Sequence, residues 1–463
     1  MNIFLPVEWI NRELDSRLLL ITELLQISKK KRLKIYIGEM KSLGKFSSKI
    51  NDYFLWLASG IDNSIEFYLN LAKRKGVFLS LDEEGGIFTK NAEKNFPRHK
   101  LQSKNSDLVS KIFIWGKDSK NKIKKDFRVN RSLVLSGNPR FDLAKTKFAP
   151  YYKSKKYNKD VLINAAFGTA NSEVPIKDEI LFWLSRQRNR SFSKSLDNKI
   201  MRDQEIYQKK NFLPFLSDIK KLVKLFPNLK FGIRPHPVEN KKTYSLFFKN
   251  IKNVEILNNK DSALNNIINS KIIIHNGCTT AIESLLNNKK TICHINYRDK
   301  FNEQYLPVAI SELSTNFEDL KKNFEKFLKK KNYFGNLSLE KKLVSRYIHN
   351  ISENSYKIIS NQIVNLNLVE ENNILHNKLK KKIIHDDNKS ILFRIEQKII
   401  NIFKRKKLNE IINLVKKRSK RKFGSLPKNL IKEKLEKLKR INKYYFKNKI
   451  QEVDRNCFCI ERD

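Results

Sequence analysis

Cysteine is scarce in this chain, with four among 463 residues. Cys278 and Cys293 stand apart, while Cys457 and Cys459 form a lone Cys-x-Cys. That usage excludes a disulfide scaffold, offers no paired zinc-ligand spacing and fits a reducing cytoplasm. Also missing is any apolar run of the roughly 20 residues that a membrane-spanning helix needs. Leu18-Leu19-Leu20-Ile21 is broken at Thr22 and Glu23, and no basic region followed by a long apolar stretch opens the sequence. The expectation is a soluble or peripheral cytoplasmic protein. There is no Asp-x-Asp of the kind that holds a divalent cation on a nucleotide, so no metal and no cofactor are expected. Acidic residues are few as well: 48 Asp plus Glu against 95 Lys plus Arg leave a formal charge of +47. Such an excess attracts polyanions, either nucleic acid or an anionic membrane face. Part of it reflects a general preference for Lys, Asn and Ile.

What is present is enough apolar residue, 40%, for a sizeable core. Short apolar runs alternate with helix-like stretches, which argues for parallel βαβ units. Strands are expected at 34–38, 76–81, 112–116 and 133–137, after a helix over 15–29. The pattern breaks at 148–159 and restarts at 161–164, 229–233, 254–257, 272–274 and 291–295. The division is therefore an N-terminal α/β domain over 1–150, a second over 157–345 and a basic helical extension over 346–463. From Glu371 onward there are 28 Lys plus Arg against 11 Asp plus Glu, a net charge of +17. The segment 399–408 is basic and amphipathic, suited to a membrane surface or to packing on the body of the protein. Aromatic residues do not alternate with the basic ones as stacking platforms for nucleic acid require, apart from Tyr444-Tyr445-Phe446, so nucleic acid is a poor partner.

Three polar turns stand at expected strand ends, where open α/β sheets gather ligands. Asp82-Glu83-Glu84-Gly85-Gly86 crowds carboxylates whose repulsion raises at least one pKa toward the range useful for deprotonating a hydroxyl. An acidic surface turn is the competing reading. Arg234-Pro235-His236-Pro237 fixes a histidine beside an arginine, a pair able to bind phosphate, although His236 could also merely end a strand. Asn276-Gly277-Cys278-Thr279-Thr280 precedes a helix, so its hydroxyls and N–H groups could cradle a phosphate or simply cap. Glu283 could reach a ribose hydroxyl or close a capping box with Thr280. The turn at Gly168-Thr169 is a further candidate for the nucleotide side. In Gly137-Asn138-Pro139-Arg140-Phe141-Asp142, Asp142 is either a second catalytic carboxylate or the lead of a helix, and Arg140 could meet an acidic sugar.

Taken in order, these clusters resemble the acid-acid-Gly, His-Pro and paired-hydroxyl motifs of bacterial sialyltransferases and related Kdo transferases. The opening Val7-Glu8-Trp9-Ile10-Asn11-Arg12-Glu13-Leu14-Asp15, with Ser80-Leu81-Asp82-Glu83-Glu84-Gly85-Gly86 and the Gly137–Asp142 turn, is similar to the surface carbohydrate biosynthesis family. The resemblance covers about residues 1–345. It implies a GT-B fold, two Rossmann-like domains facing a cleft, and transfer of an acidic sugar from a CMP donor to a surface glycan or glycolipid. Glu83 or Glu84 would be the general base, and His236 with Thr279 and Thr280 would hold the donor phosphate. Three acids in place of two, and threonines in place of serines, depart from the pattern. A CDP-glycerol or UDP-sugar donor on the same fold is the alternative.

Overall fold

A computed structural model describes residues 1–28, 32–61, 65–83, 89–90, 105–126, 132–153, 159–173, 194–258, 261–329, 337–386 and 423–463. The strands of the first half are β1 (Asn2–Val7), β2 (Lys34–Glu39), β3 (Phe54–Ala58), β4 (Gly76–Leu81), β5 (Lys111–Ile114) and β6 (Leu133–Leu135). The second half supplies β7 (Lys159–Asn164), β8 (Phe231–Arg234), β9 (Val254–Ile256), β10 (Ser270–His275), β11 (Ile292–His294) and β12 (Glu312–Ser314). Last come β13 (Asn448–Asp454) and β14 (Cys457–Arg462).

β1 to β6 pair in parallel in the order 2-1-3-4-5-6, and β7 to β12 in parallel in the order 12-11-10-7-8-9. The second order is that of a dinucleotide-type Rossmann sheet, whose direction of winding reverses between β7 and β10. The expected α/β class with two Rossmann-like domains is thus met. Helices cover both faces, so the strands are apolar throughout. In β1, Ile3, Leu5 and Val7 enter one core while Phe4 enters the other. In β3, Leu55 and Leu57 face the first core, and Phe54 and Trp56 the second. The aromatic residues collect on one face, where Phe4 stacks on Tyr36 with centroids 4.6 Å apart.

One apolar core also crosses from the first domain to the second. It joins Phe141, Leu143, Phe148 and Tyr151 to Leu264, Ile267, Ile282 and Leu285. Asn287 Nδ2 donates to the Ala144 carbonyl (3.3 Å) and Asn269 Nδ2 to that of Tyr152 (3.0 Å) across the same seam.

The extension is not purely helical, which corrects the sequence reading. Helices Ser355–Val364 and Lys428–Asn442 pack beside helix Asp15–Ile27, and Leu368–Asp386 lies against the opposite face of the first sheet. The chain then ends in the hairpin β13–β14, which adds antiparallel to β2 and makes the first sheet eight-stranded. Cys457 and Cys459 fill one core and Phe458 and Ile460 the other, so the Cys-x-Cys spacing is the two-residue period of a strand. The amphipathic segment 399–408 lies outside the described residues. Among the described residues no helix is long and apolar enough to cross a membrane.

The hairpin docks closely because β2 carries a glycine. A Cβ on Gly38 would lie 2.2 Å from the Asn456 carbonyl oxygen and 2.8 Å from Cys457 Cα, both backbone. Gly38→Ala should therefore loosen the hairpin. Amide exchange over 448–463 is expected to rise at least tenfold while exchange in β7–β10 stays unchanged, and equal protection in both proteins would contradict this packing.

Candidate functional site

The switch point of the second sheet is built by β7 and β10, and buried side chains shape the turns that follow them. Asn276 Oδ1 accepts from the Ala166 N–H (2.8 Å) and its Nδ2 donates to the Ala166 carbonyl (3.3 Å), tying the two turns together. Asn164 Nδ2, at the end of β7, donates to Thr280 Oγ1 (2.5 Å). His275 is fully buried, and burial drives its pKa down to about 3, so the ring is neutral. Its Nδ1 accepts from the Gly277 N–H (3.0 Å), which leaves Nε2–H to donate toward Thr291 or Ser311 (3.1 and 3.0 Å). Gly277 adopts φ +86°, the left-handed bend that this turn requires.

These bonds separate the two threonines. The Thr280 hydroxyl is buried and engaged by Asn164. Thr279 occupies the N-cap position of helix Thr280–Leu286 without a side-chain cap bond, and its half-buried hydroxyl makes no hydrogen bond among the described residues.

Glu239 organises the histidine turn. Its carboxylate accepts from the N–H groups of Phe167 and His236, both at 2.9 Å, and from the Tyr244 hydroxyl. His236 is exposed, and a Cβ on Gly168 would lie 3.7 Å from its Nδ1, so the Gly168 turn is its neighbour. Thr169 contributes less than expected, because its N–H donates to Gln208 Oε1 (2.8 Å) of helix Lys194–Leu225. Arg234 is 8% exposed, and its Nε is removed from water with no hydrogen-bond partner among the described residues. Burial lowers its pKa, and the Glu283 carboxylate opposes that shift.

At the carboxyl end of β4, Glu83 is buried at 2% exposure. Asn138 Nδ2 donates to Glu83 Oε2 (3.2 Å), and Arg17 Nη2 lies 3.2 Å from Oε1. Burial raises the Glu83 pKa, Arg17 draws it down, and nearby Glu13 raises it again. The Asp82 carbonyl accepts from Trp115 Nε1 (2.6 Å) and Asn138 Nδ2 (2.9 Å), fixing the start of the acid turn. Glu84, Gly85 and Gly86 lie outside the described residues.

Arg140 joins the two domains. Its guanidinium lies 5.5 Å from the Trp115 ring centroid and 4.9 Å from that of Phe141, and Nη1 reaches the Glu83 carbonyl at 3.5 Å. Across the contact between the domains its Nε stands 3.4 Å from Glu283 Oε1. Glu283 therefore pairs with Arg140 instead of closing a capping box with Thr280. Burial raises the Glu283 pKa against Arg140 and, to a smaller extent, Arg234. Arg17, Glu239 and His275 were not singled out from sequence. Arg17 is a charge on an otherwise apolar helix face, and Glu239 stands three residues past His236, so both left a readable trace.

Asp142 is placed differently from the catalytic reading. It is fully buried, accepts from Asn350 Nδ2 (2.7 Å) and the Tyr356 N–H (2.9 Å), and pairs with Lys145 at 3.2 Å. Both oxygens are spent on latching helix Ser355–Val364 to the first domain, so this carboxylate is structural. Burial is the largest influence and pushes its pKa up to about 6. A carboxyl group raised in the folded state contributes stability below its unfolded pKa and loses it as pH rises through the folded one. Between pH 4 and 7, wild type should therefore lose up to about 3 kcal/mol of stability relative to Asp142→Asn. Urea unfolding at several pH values measures this, and a pH-independent difference would contradict the assigned environment.

No family model matches this chain, and no curated protein matches it. Solved structures do. The UDP-GlcNAc 2-epimerase of Neisseria meningitidis is 14% identical, with 79% of this chain and 99% of that chain covered and a TM-score of 0.44. The UDP-GlcNAc 2-epimerase of Methanocaldococcus jannaschii is 14% identical, covering 78% and 99%, with a TM-score of 0.41. The wall teichoic acid polymerase TagF is 11% identical, covering 82% and 89%, with a TM-score of 0.48. At these identities the likeness is one of overall architecture, and the fold assignment stands on the two sheets themselves.

Proposed function

We propose that this protein is a glycosyltransferase of GT-B type that moves an acidic sugar from a CMP donor to a hydroxyl of a surface glycan or glycolipid. One observation carries the reading. The two Rossmann-like domains meet within ion-pair reach at Arg140–Glu283, where Arg140 also reaches the Glu83 carbonyl of the acid turn and Arg234, at the end of β8, acts on Glu283. Ligands of open α/β sheets gather at such ends.

In this reading a carboxylate of the acid turn takes the proton of the acceptor hydroxyl, either Glu84 or a Glu83 that has given up its pairing with Arg17. The acceptor oxygen forms its bond to the anomeric carbon as the bond from that carbon to the phosphate oxygen breaks. The electron pair leaves with the nucleotide, and Arg234, His236 and Thr279 receive the negative charge, the kind of stabilisation that usually contributes most. Asn276 and Thr280 hold the turn in shape, and Gly277 provides the bend. Asp142 is not available for a double displacement, since its oxygens are committed elsewhere. The acceptor would be reached at the inner face of the cytoplasmic membrane, where the basic extension favours an anionic surface.

His236→Ala should cut CMP release by about 100-fold or more, and turnover equal to wild type would refute the assignment. Chelation by EDTA is expected to leave the wild-type rate unchanged. A thermal-shift series with CMP, CDP-glycerol and UDP-sugars selects the donor, because the true one stabilises the fold by mass action.

A further inference from the structure

Glu283 of the second domain stands 3.4 Å from Nε of Arg140, on the short helix Pro139–Leu143 of the first, and Arg234, at the end of β8, is the other cation that acts on it. The arrangement fits poorly as an ordinary ion pair. Arginine and carboxylate in a well-formed buried pair meet through forked bonds of about 2.7–2.9 Å. Here the separation is 3.4 Å, and neither Arg140 Nε nor Arg234 Nε has a hydrogen-bond partner among the described residues. Both atoms are removed from water, and unsatisfied buried donors are costly. Two cations also face one carboxylate. The nearby acids Glu83 and Glu13 are committed to Arg17 and Arg12, and Asp261 contributes less at Arg234 than Glu283 does.

We infer that Glu283 is a built-in counter-ion occupying a two-arginine phosphate site, which the phosphate of an incoming ligand fills by displacing the carboxylate. A phosphate is larger than a carboxylate and presents three oxygens, enough to meet a guanidinium from each domain at once. Its arrival would replace a loose cross-cleft pair with a bridge. The displaced carboxylate is easily neutralised, because burial already raises its pKa. That the phosphate belongs to a nucleotide donor rests on the function proposed above; the competition between carboxylate and phosphate does not.

The sign of one substitution tests this. Titration calorimetry with inorganic pyrophosphate, in low-salt buffer without chloride, compares wild type with Glu283→Gln, Arg140→Met, Arg234→Met and the double variant Glu283→Gln/Arg140→Met. Glu283→Gln should bind about tenfold more tightly or better, each arginine variant about tenfold more weakly, and the double variant should lose the gain. Arg140→Lys, which keeps the charge, is expected to fall between wild type and Arg140→Met and guards against a misfolded variant. Weaker or unchanged binding by Glu283→Gln, or a gain that survives in the double variant, overturns the proposal, as does a lack of pyrophosphate binding in both wild type and Glu283→Gln. Tightening without any CMP turnover would leave the phosphate site standing and remove the proposed function. CMP turnover with unchanged pyrophosphate affinity would do the reverse.

Discussion

The apolar seam between the domains is the contact on which the site depends. Helices Ala263–Ile268 and Thr280–Leu286 of the second domain bury Leu264, Ile267, Ile282 and Leu285 against the 141–152 segment of the first. Non-directional burial holds the two halves together, while the hydrogen bonds from Asn269 and Asn287 fix their register. Because the seam runs beside the strand ends, it brings Arg140 to Glu283. Without it, groups separated by about a third of the chain would have no reason to meet.

Closeness to that seam also explains the electrostatics. Arg17, Glu83, Arg234 and Glu283 are all at least nine-tenths buried, and charges in such surroundings are costly unless paired. Arg17 is therefore matched to Glu83, and Glu13 to Arg12. Arg234 is opposed chiefly by Glu283, and its Nε is removed from water without a hydrogen bond, a condition shared by the guanidinium nitrogens of Arg17 beside Glu83.

Much of this architecture was legible in the sequence. Runs such as Val77-Phe78-Leu79-Ser80-Leu81 are apolar on both faces, which is the signature of a buried parallel strand, and each ends in a polar turn. The hairpin was not legible. Strand β13 is polar, as edges tend to be, and the pairing of β14 with β2 spans more than 400 residues, beyond any local pattern. Asp142 was ambiguous for a related reason. A carboxylate after a proline turn looks the same whether it faces a cleft or a distant helix, and only Asn350 and Tyr356, some 210 residues on, decide which.

The same logic separates the residues that shape the site from those able to touch a ligand. A motif supplies residue types, but a polar group already bonded within the protein has little left for a substrate. Asn276, Thr280, Glu239 and His275 are spent on holding turns, and Thr169 has given its N–H to Gln208. Thr279 makes no side-chain cap bond, Arg234 Nε has no hydrogen-bond partner among the described residues, and His236 presents an exposed ring. A threonine hydroxyl, a guanidinium and an imidazole all favour an oxygen anion. These are the groups that the proposed function assigns to the donor phosphate.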